Sequence, residues 1–277
     1  MRKIVHHEIG EPARVLRLEE GEAPPLAPDQ VRIRVSYAPI HPGDLLGIMG
    51  SPAFGSPPVI GRDGRVPGFE GAGVVTKLGS QVDPTLGLKA GIRVAFFPAA
   101  AAWSDEVVVS ASSVVPLPVT IPDEVGAQML INTISALTVI RTAHDSLPLD
   151  AREGVVTVLT GAGSAVGRLI GQILTERGVT VIRLVRSERS ATTLAAALPG
   201  PPVFAVESEG WKERVRSAAH VSRSTSPSTA SVAVCLATSP ISWRRGPGLS
   251  STSGRSAARR ATSVCFHPAP SRSRAWR

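Results

Sequence analysis

The stretch Thr160-Gly-Ala-Gly-Ser-Ala-Val-Gly167 restricts this chain more than any other. It follows Gly154-Val-Val-Thr-Val-Leu-Thr160, a run rich in β-branched residues that reads as a buried strand. It precedes Arg168–Arg177, whose apolar residues fall at helical spacing and whose end is marked by Gly178 as a C-terminal cap. Val179-Thr-Val-Ile-Arg-Leu-Val185 then reads as a second strand. Strand, helix and strand within about 32 residues imply two parallel strands joined by a crossover helix. The turn that feeds the helix is built almost wholly from small residues. Such a turn lets a pyrophosphate approach bare backbone N–H groups at a helix start. Gly161, Gly163, Ser164, Ala165, Val166 and Gly167 are therefore the expected cofactor contacts. Gly167 would allow close packing of helix on sheet, and the Ser164 hydroxyl could donate to a phosphate. The spacing is G-x-G-x-x-x-G, and glycine-rich turns of this kind also occur for packing alone.

The end of the second strand is where a dinucleotide site reads the ribose. An Asp or Glu there accepts from the ribose hydroxyls of NAD. This chain has Arg186 at that place, within Val185-Arg-Ser-Glu-Arg189. A guanidinium grips a 2′-phosphate that a carboxylate would repel. Arg186 and Arg189 are thus expected to favour NADPH; the competing reading pairs both with Glu188 in solvent.

Upstream, residues 1–121 read as β-rich. Val31-Arg-Ile-Arg-Val-Ser-Tyr37 alternates with period two. Gly71–Lys77, Gly91–Phe97 and Trp103–Val109 are short apolar runs bounded by glycine and proline, the pattern of a small barrel. Pro122-Asp-Glu-Val opens a helical stretch expected to run, with a break, through Ala127–Ala143. Phe204 and Val206 are expected in a third parallel strand with an unpaired edge. The fold class is α/β, with a barrel over 1–121 and a partial nucleotide-binding domain over 122–216.

Residues 217–277 differ in composition. They hold nine Arg, fifteen Ser and no acid, so they carry +9 of a net +8, leaving residues 1–216 at −1. The near-neutral body gives no ground for a polyanion partner. Both cysteines, Cys235 and Cys265, lie in this segment, and the body has none for a disulfide or thiolate metal site. Three readings stand: a disordered basic tail, a nucleic-acid-binding arm, or out-of-frame translation of a GC-rich gene. With GC-rich codons, reading Ser222–Ala233 from the third base of the Ser222 codon permits A-V-D-V-A-L-D-S-V-G-G, a strand ending in a glycine turn. Trp243, Phe266 and Trp276 are too scattered for a base-stacking platform. No apolar run of about 18 residues and no signal-peptide core appear, so a cytoplasmic protein without membrane contact is expected.

Four ordered segments resemble the medium-chain dehydrogenase/reductase superfamily in its zinc-free quinone oxidoreductase and enoyl thioester reductase branch. They are Ala38-Pro-Ile-His-Pro-Gly-Asp44, Pro67-Gly-Phe-Glu-Gly-Ala-Gly-Val-Val75, Asn132-Thr-Ile-Ser-Ala-Leu-Thr138 and Ser164-Ala-Val-Gly-Arg168. The resemblance covers about residues 1–215. It implies a GroES-like barrel followed by a Rossmann domain, an active site in the cleft between them, and homodimers among intact relatives. It also implies hydride transfer from NADPH to a small electrophilic acceptor: a quinone, enone or enoyl compound. Thr138 is the expected polar group near the nicotinamide, and His41, in the place of the family's Asn, the expected polar contact to the acceptor. Asp44 could line the cleft or cap a helix at Leu45.

The departures are specific. Phe69 replaces the metal-binding His of zinc-dependent members, and three ligands for a catalytic zinc cannot be assembled. His6, His7 and His144 read as surface or local hydrogen-bonding residues. The enoyl reductases' Tyr is missing: Met49–Gly55 offers only Phe54, and Tyr37 lies in a strand. The alternative to an active reductase is a truncated, frameshifted remnant without turnover.

Overall fold

A computed structural model describes residues 1–51, 59–145, 156–224, 231–235 and 262–265, with side chains up to Ala219. The chain divides into two compact units, one covering Met1–Ile131 and the other beginning at Asn132.

The first unit opens with an antiparallel pair, β1 (Arg2–Val5) and β2 (Arg17–Glu20), around a single helical turn, α1 (Pro12–Val15). Next come β3 (Gln30–Tyr37), α2 (Pro42–Ile48), β4 (Gly71–Leu78), β5 (Arg93–Phe96), β6 (Glu106–Ser110) and β7 (Val114–Pro116). Five of these strands form one antiparallel sheet in the order β6-β3-β4-β5-β7. The period-two reading of β3 holds: Val31 and Ile33 are fully buried, while Arg34 faces solvent. Val31 and Ile33 pack with Val75, Val94, Phe96, Val107 and Val109 in one core. Burying side chains of this size contributes about 1.5–3 kcal/mol each, so alternation decides which face turns inward.

The helical stretch after Pro122 is broken as expected, into α3 (Asp123–Gly126) and α4 (Met129–Asp145). Asp123, in the first turn of α3, pairs with Arg93 of β5 at 2.6 Å.

In the second unit, β8 (Val156–Leu159), α5 (Ala165–Glu176), β9 (Thr180–Val185), α6 (Glu188–Ala197) and β10 (Val203–Ala205) build a parallel sheet with its crossover helices. Gly178 takes φ +74°, as a C-terminal glycine cap does. Ala136, Leu159, Ile170, Val181, Val185 and Leu194 bury a common core. Arg183 is the exception on β9. It is buried, and its guanidinium donates to the carbonyls of Leu198 (2.8 Å) and Pro201, fastening the loop before β10. Burial pushes its pKa down.

The C-terminal boundary expected at residue 217 does not mark the end of regular structure. α7 (Trp211–Ser224) runs across it. Two further strands, β11 (Ser231–Cys235) and β12 (Thr262–Cys265), extend the sheet to the order β10-β9-β8-β11-β12. The reason lies in β8, whose second edge would otherwise present unpaired backbone groups. A short apolar segment such as Val-Ala-Val supplies them with partners. β10 remains the outer strand on its side, as expected for Phe204, whereas Val206 lies one residue beyond its end. The expectations for Phe54, Gly154, Trp243, Phe266 and Trp276, and most of the shifted-frame reading, fall outside the described residues. Among the described residues no helix is long and apolar enough to cross a membrane.

Candidate cofactor turn and polar cluster

The glycine-rich segment lies at the carboxyl end of β8, where strand gives way to α5. Gly161 takes φ +63°, the left-handed conformation that glycine tolerates. Ala162 donates its N–H to Leu184 O on neighbouring β9 (3.2 Å), which holds the turn against the sheet. A Cβ on Gly167 would sit 2.3 Å from Gly161 O and 2.9 Å from Ala162 Cα, so no side chain fits there. This matches the packing role expected of Gly167.

Ser164 also has a structural part in the turn. It is the N-cap of α5: its Oγ accepts from Gly167 N–H (3.0 Å) and donates to Gly161 O (2.8 Å). In this arrangement the hydroxyl proton points to Gly161 O inside the turn. The N–H groups of Gly163, Ala165 and Val166 have no acceptor among the described residues. They open where the positive end of a twelve-residue helix lies. Arg168, not singled out in the sequence, folds back to donate from Nε to Gly163 O (3.1 Å) and adds a cation beside the turn. These donors suit a pyrophosphate.

Arg186 and Arg189 follow β9, the strand paired with β8, and so lie at the same end of the sheet. Both are exposed, and neither side chain has a partner among the described residues. The competing pairing with Glu188 does not form. Glu188 instead accepts from the Ser208 hydroxyl and lies 3.9 Å from Arg214 Nη2.

Thr138 sits on the exposed side of α4, two residues from the buried Ala136. Its carbonyl accepts from the Thr142 hydroxyl (2.8 Å), while its own hydroxyl has no partner among the described residues.

In the first unit, His41 is the N-cap of α2, because Pro42 at the first helical position fixes where the helix begins. Asp44 therefore does not cap at Leu45. It is the third helical residue and reaches back: Oδ2 accepts from His41 N–H (2.9 Å) and Oδ1 from Gly68 N–H (3.2 Å). Burial raises its pKa, against the lowering effects of its contacts with His41, Gly68 and Arg65.

His41 Nε2 lies 2.6 Å from Glu70 Oε1, and its ring stacks on Phe69 with centroids 4.9 Å apart. Glu70 is 1% exposed, and its Oε2 accepts from Ile131 N–H (3.0 Å), closing the first turn of α4. Sequence reasoning missed Glu70. The available signal was a carboxylate immediately before the apolar run Gly71–Val75. Among the described residues no three His, Cys, Asp or Glu side chains are grouped to hold a metal.

An antiparallel five-stranded sheet is followed by a parallel sheet with a glycine turn at the carboxyl end of β8. Residues 27–119 match the alcohol dehydrogenase GroES-like domain family. The chain is 30% identical over 203 residues to the mitochondrial enoyl-[acyl-carrier-protein] reductase of Xenopus tropicalis, covering 71% of this chain and 53% of that protein. For the human enzyme of the same description the figures are 29% over 201 residues, 72% and 50%. This chain thus spans about half the length of the curated relatives it matches. Among solved structures, a Bacillus thuringiensis protein described as a candidate NADPH:quinone reductase is 28% identical with a TM-score of 0.65, covering 83% of this chain and 64% of that one. Escherichia coli quinone oxidoreductase, solved with NADPH, shares the fold at 24% identity and TM-score 0.65, over 78% of this chain and 62% of its own. Residues 27–119 thus match a GroES-like domain of the alcohol dehydrogenase type, and the longer stretch is similar to enoyl and quinone reductases.

Proposed function

We propose that this protein is an NADPH-dependent reductase of small electrophilic acceptors, a quinone, enone or enoyl-type compound, working without a catalytic metal. The observation that carries the reading is the set of uncommitted donors at the ends of β8 and β9: the N–H groups of Gly163, Ala165 and Val166, with Arg186 and Arg189 beyond them. The names of the relatives support the same reading. Bound NADPH would supply the hydride, and the protein's part is to hold and orient it.

In this reading the three amides take the pyrophosphate, and Gly161 and Gly163 keep side chains out of its way. Ser164 acts by fixing the turn, and Gly167 by letting α5 approach it. Arg186 and Arg189 bind the 2′-phosphate. Thr138 offers its free hydroxyl toward the nicotinamide. His41 presents a polar ring edge to the acceptor, its ring held by Glu70 and Phe69. Residues 1–121 form the catalytic domain, and the nucleotide-binding one starts at 122 and includes β11 and β12 in its sheet.

The test is NADPH consumption by the purified full-length chain with a benzoquinone, a 2-enone and an enoyl thioester as acceptors, alongside equilibrium NADPH binding. Acceptor-dependent consumption supports the reading. Neither binding nor cooperative melting would point instead to a remnant without turnover.

A further inference from the structure

Glu188 lies between the two arginines assigned to the 2′-phosphate and is the first residue of α6. A carboxylate in that neighbourhood has two possible effects. Facing the ribose, it accepts hydroxyl hydrogen bonds and favours a ribose without phosphate; turned away and neutralised, it leaves the site cationic. In the structure the carboxylate has partners of its own. The Ser208 hydroxyl donates to Glu188 Oε1, and Arg214 Nη2 lies 3.9 Å from the same oxygen.

The partners are brought there by backbone docking. Val206 N–H donates to Val185 O (2.9 Å) and Glu207 N–H to Arg186 O (3.2 Å), so the turn after β10 lies against the turn after β9. Arg214 projects from α7, and its guanidinium also rests over the Phe204 ring at 5.7 Å. An exposed ion pair of this length contributes little to stability. Its location beside a phosphate-reading pair gives it another consequence: the charge of Glu188 is offset while Arg186 and Arg189 stay unpaired. Glu207 and Glu209, the two acids that flank Ser208, are both exposed.

We infer that Ser208 and Arg214 hold Glu188 out of the 2′-phosphate site and thereby set the preference for NADPH over NADH. The inference rests on the proposed function, and Arg214 is in it a positioning residue.

The experiment is titration of NADPH and NADH against the full chain and its variants, each first checked for cooperative melting. Freeing Glu188 in Ser208→Ala/Arg214→Gln should weaken NADPH about tenfold, the scale of one uncompensated charge, and leave NADH within about twofold. Glu188→Gln alone should change NADPH binding less than about twofold, since its charge is already offset. Adding Glu188→Gln to the double variant should restore most of the NADPH affinity, and Arg214→Lys should keep the preference. Equal weakening of both nucleotides, or no rescue by Glu188→Gln, overturns the inference: the first makes Arg214 structural, the second a direct phosphate ligand. Binding of neither nucleotide by the wild type overturns the proposed function itself.

Discussion

The glycine turn of the second unit and the His41–Glu70 cluster of the first treat their polar groups in opposite ways. In the turn, three backbone N–H groups and two guanidinium groups are left without protein partners among the described residues. In the cluster, both Glu70 oxygens and both Asp44 oxygens are satisfied internally, and His41 is bonded through Nε2 and covered by Phe69. Unsatisfied donors in a shaped, rigid place are an invitation to a ligand, whereas a closed network chiefly fixes geometry. The difference is the ground on which we propose binding at the turn and positioning at the cluster.

The strongest way to break that assignment is to destroy the turn's shape. Gly167→Val places a Cβ against the Gly161 carbonyl. The helix must then move off the turn at a cost of about 3 kcal/mol. NADPH binding should disappear and the thermal transition should fall by several degrees. A variant that melts lower but binds NADPH normally would remove the turn from the cofactor site.

Glu70→Ala tests the closed network. It removes the partner of a half-buried imidazole and uncaps the Ile131 N–H, which should cost about 1–3 kcal/mol by denaturant unfolding. Glu70→Gln keeps one acceptor and should cost less than Glu70→Ala. Intrinsic NADPH affinity of the folded fraction should change little in either variant. A large loss of NADPH affinity without loss of stability would show that the two regions do not divide the work in this way.

These two regions also differ in how far the sequence revealed them. The turn is local: a β-branched run, small residues and helical spacing lie side by side, so the junction could be read directly. Even there the capping role of Ser164 was not read, although a serine just before a helix is first of all a cap. The cluster joins His41 to Glu70 across 29 residues and Glu70 to Ile131 across 61. No period or spacing encodes such pairs; they exist because β3 and β4 pair and bring α2 beside the start of β4. The placement of Asp44 was legible in principle, since Pro42 marks the first helical residue. β11 and β12 went unseen because a Ser- and Arg-rich segment masks short apolar runs, and only the open edge of β8 gives them a role.

A smaller effect sharpens the turn's side of the comparison. Arg186→Gln removes one charge-assisted contact to the 2′-phosphate, worth about 1.5–3 kcal/mol, so NADPH should bind roughly 10- to 100-fold more weakly. NADH, which lacks that phosphate, should be unaffected. Equal losses for both nucleotides in a fluorescence titration would place Arg186 elsewhere.

The smallest effect belongs to Asp44 and concerns pH. Its pKa is raised above the ordinary 3.8 because burial penalises the charged carboxylate more than its contacts with His41, Gly68 and Arg65 favour it. Between the ordinary and the raised value the folded protein binds more protons at this site than the unfolded chain. The contribution of Asp44 to stability therefore falls as pH rises through that window, and stays reduced above it. Other carboxylates act in the opposite sense: Asp105, held by Arg2, and Asp83, held by Thr85, have lowered pKa values and lose stabilisation as pH falls. The Asp44 component must thus be read by difference. Asp44→Asn gives up one acceptor and should be less stable than the wild type throughout. The gap between the two should be widest at the acid end of the window and narrow as pH rises through it, since only the wild type gains from protonation there. A gap that instead widens with rising pH would mean that the carboxylate is stabilised by its setting, and that the network around His41 is held by charge rather than by geometry.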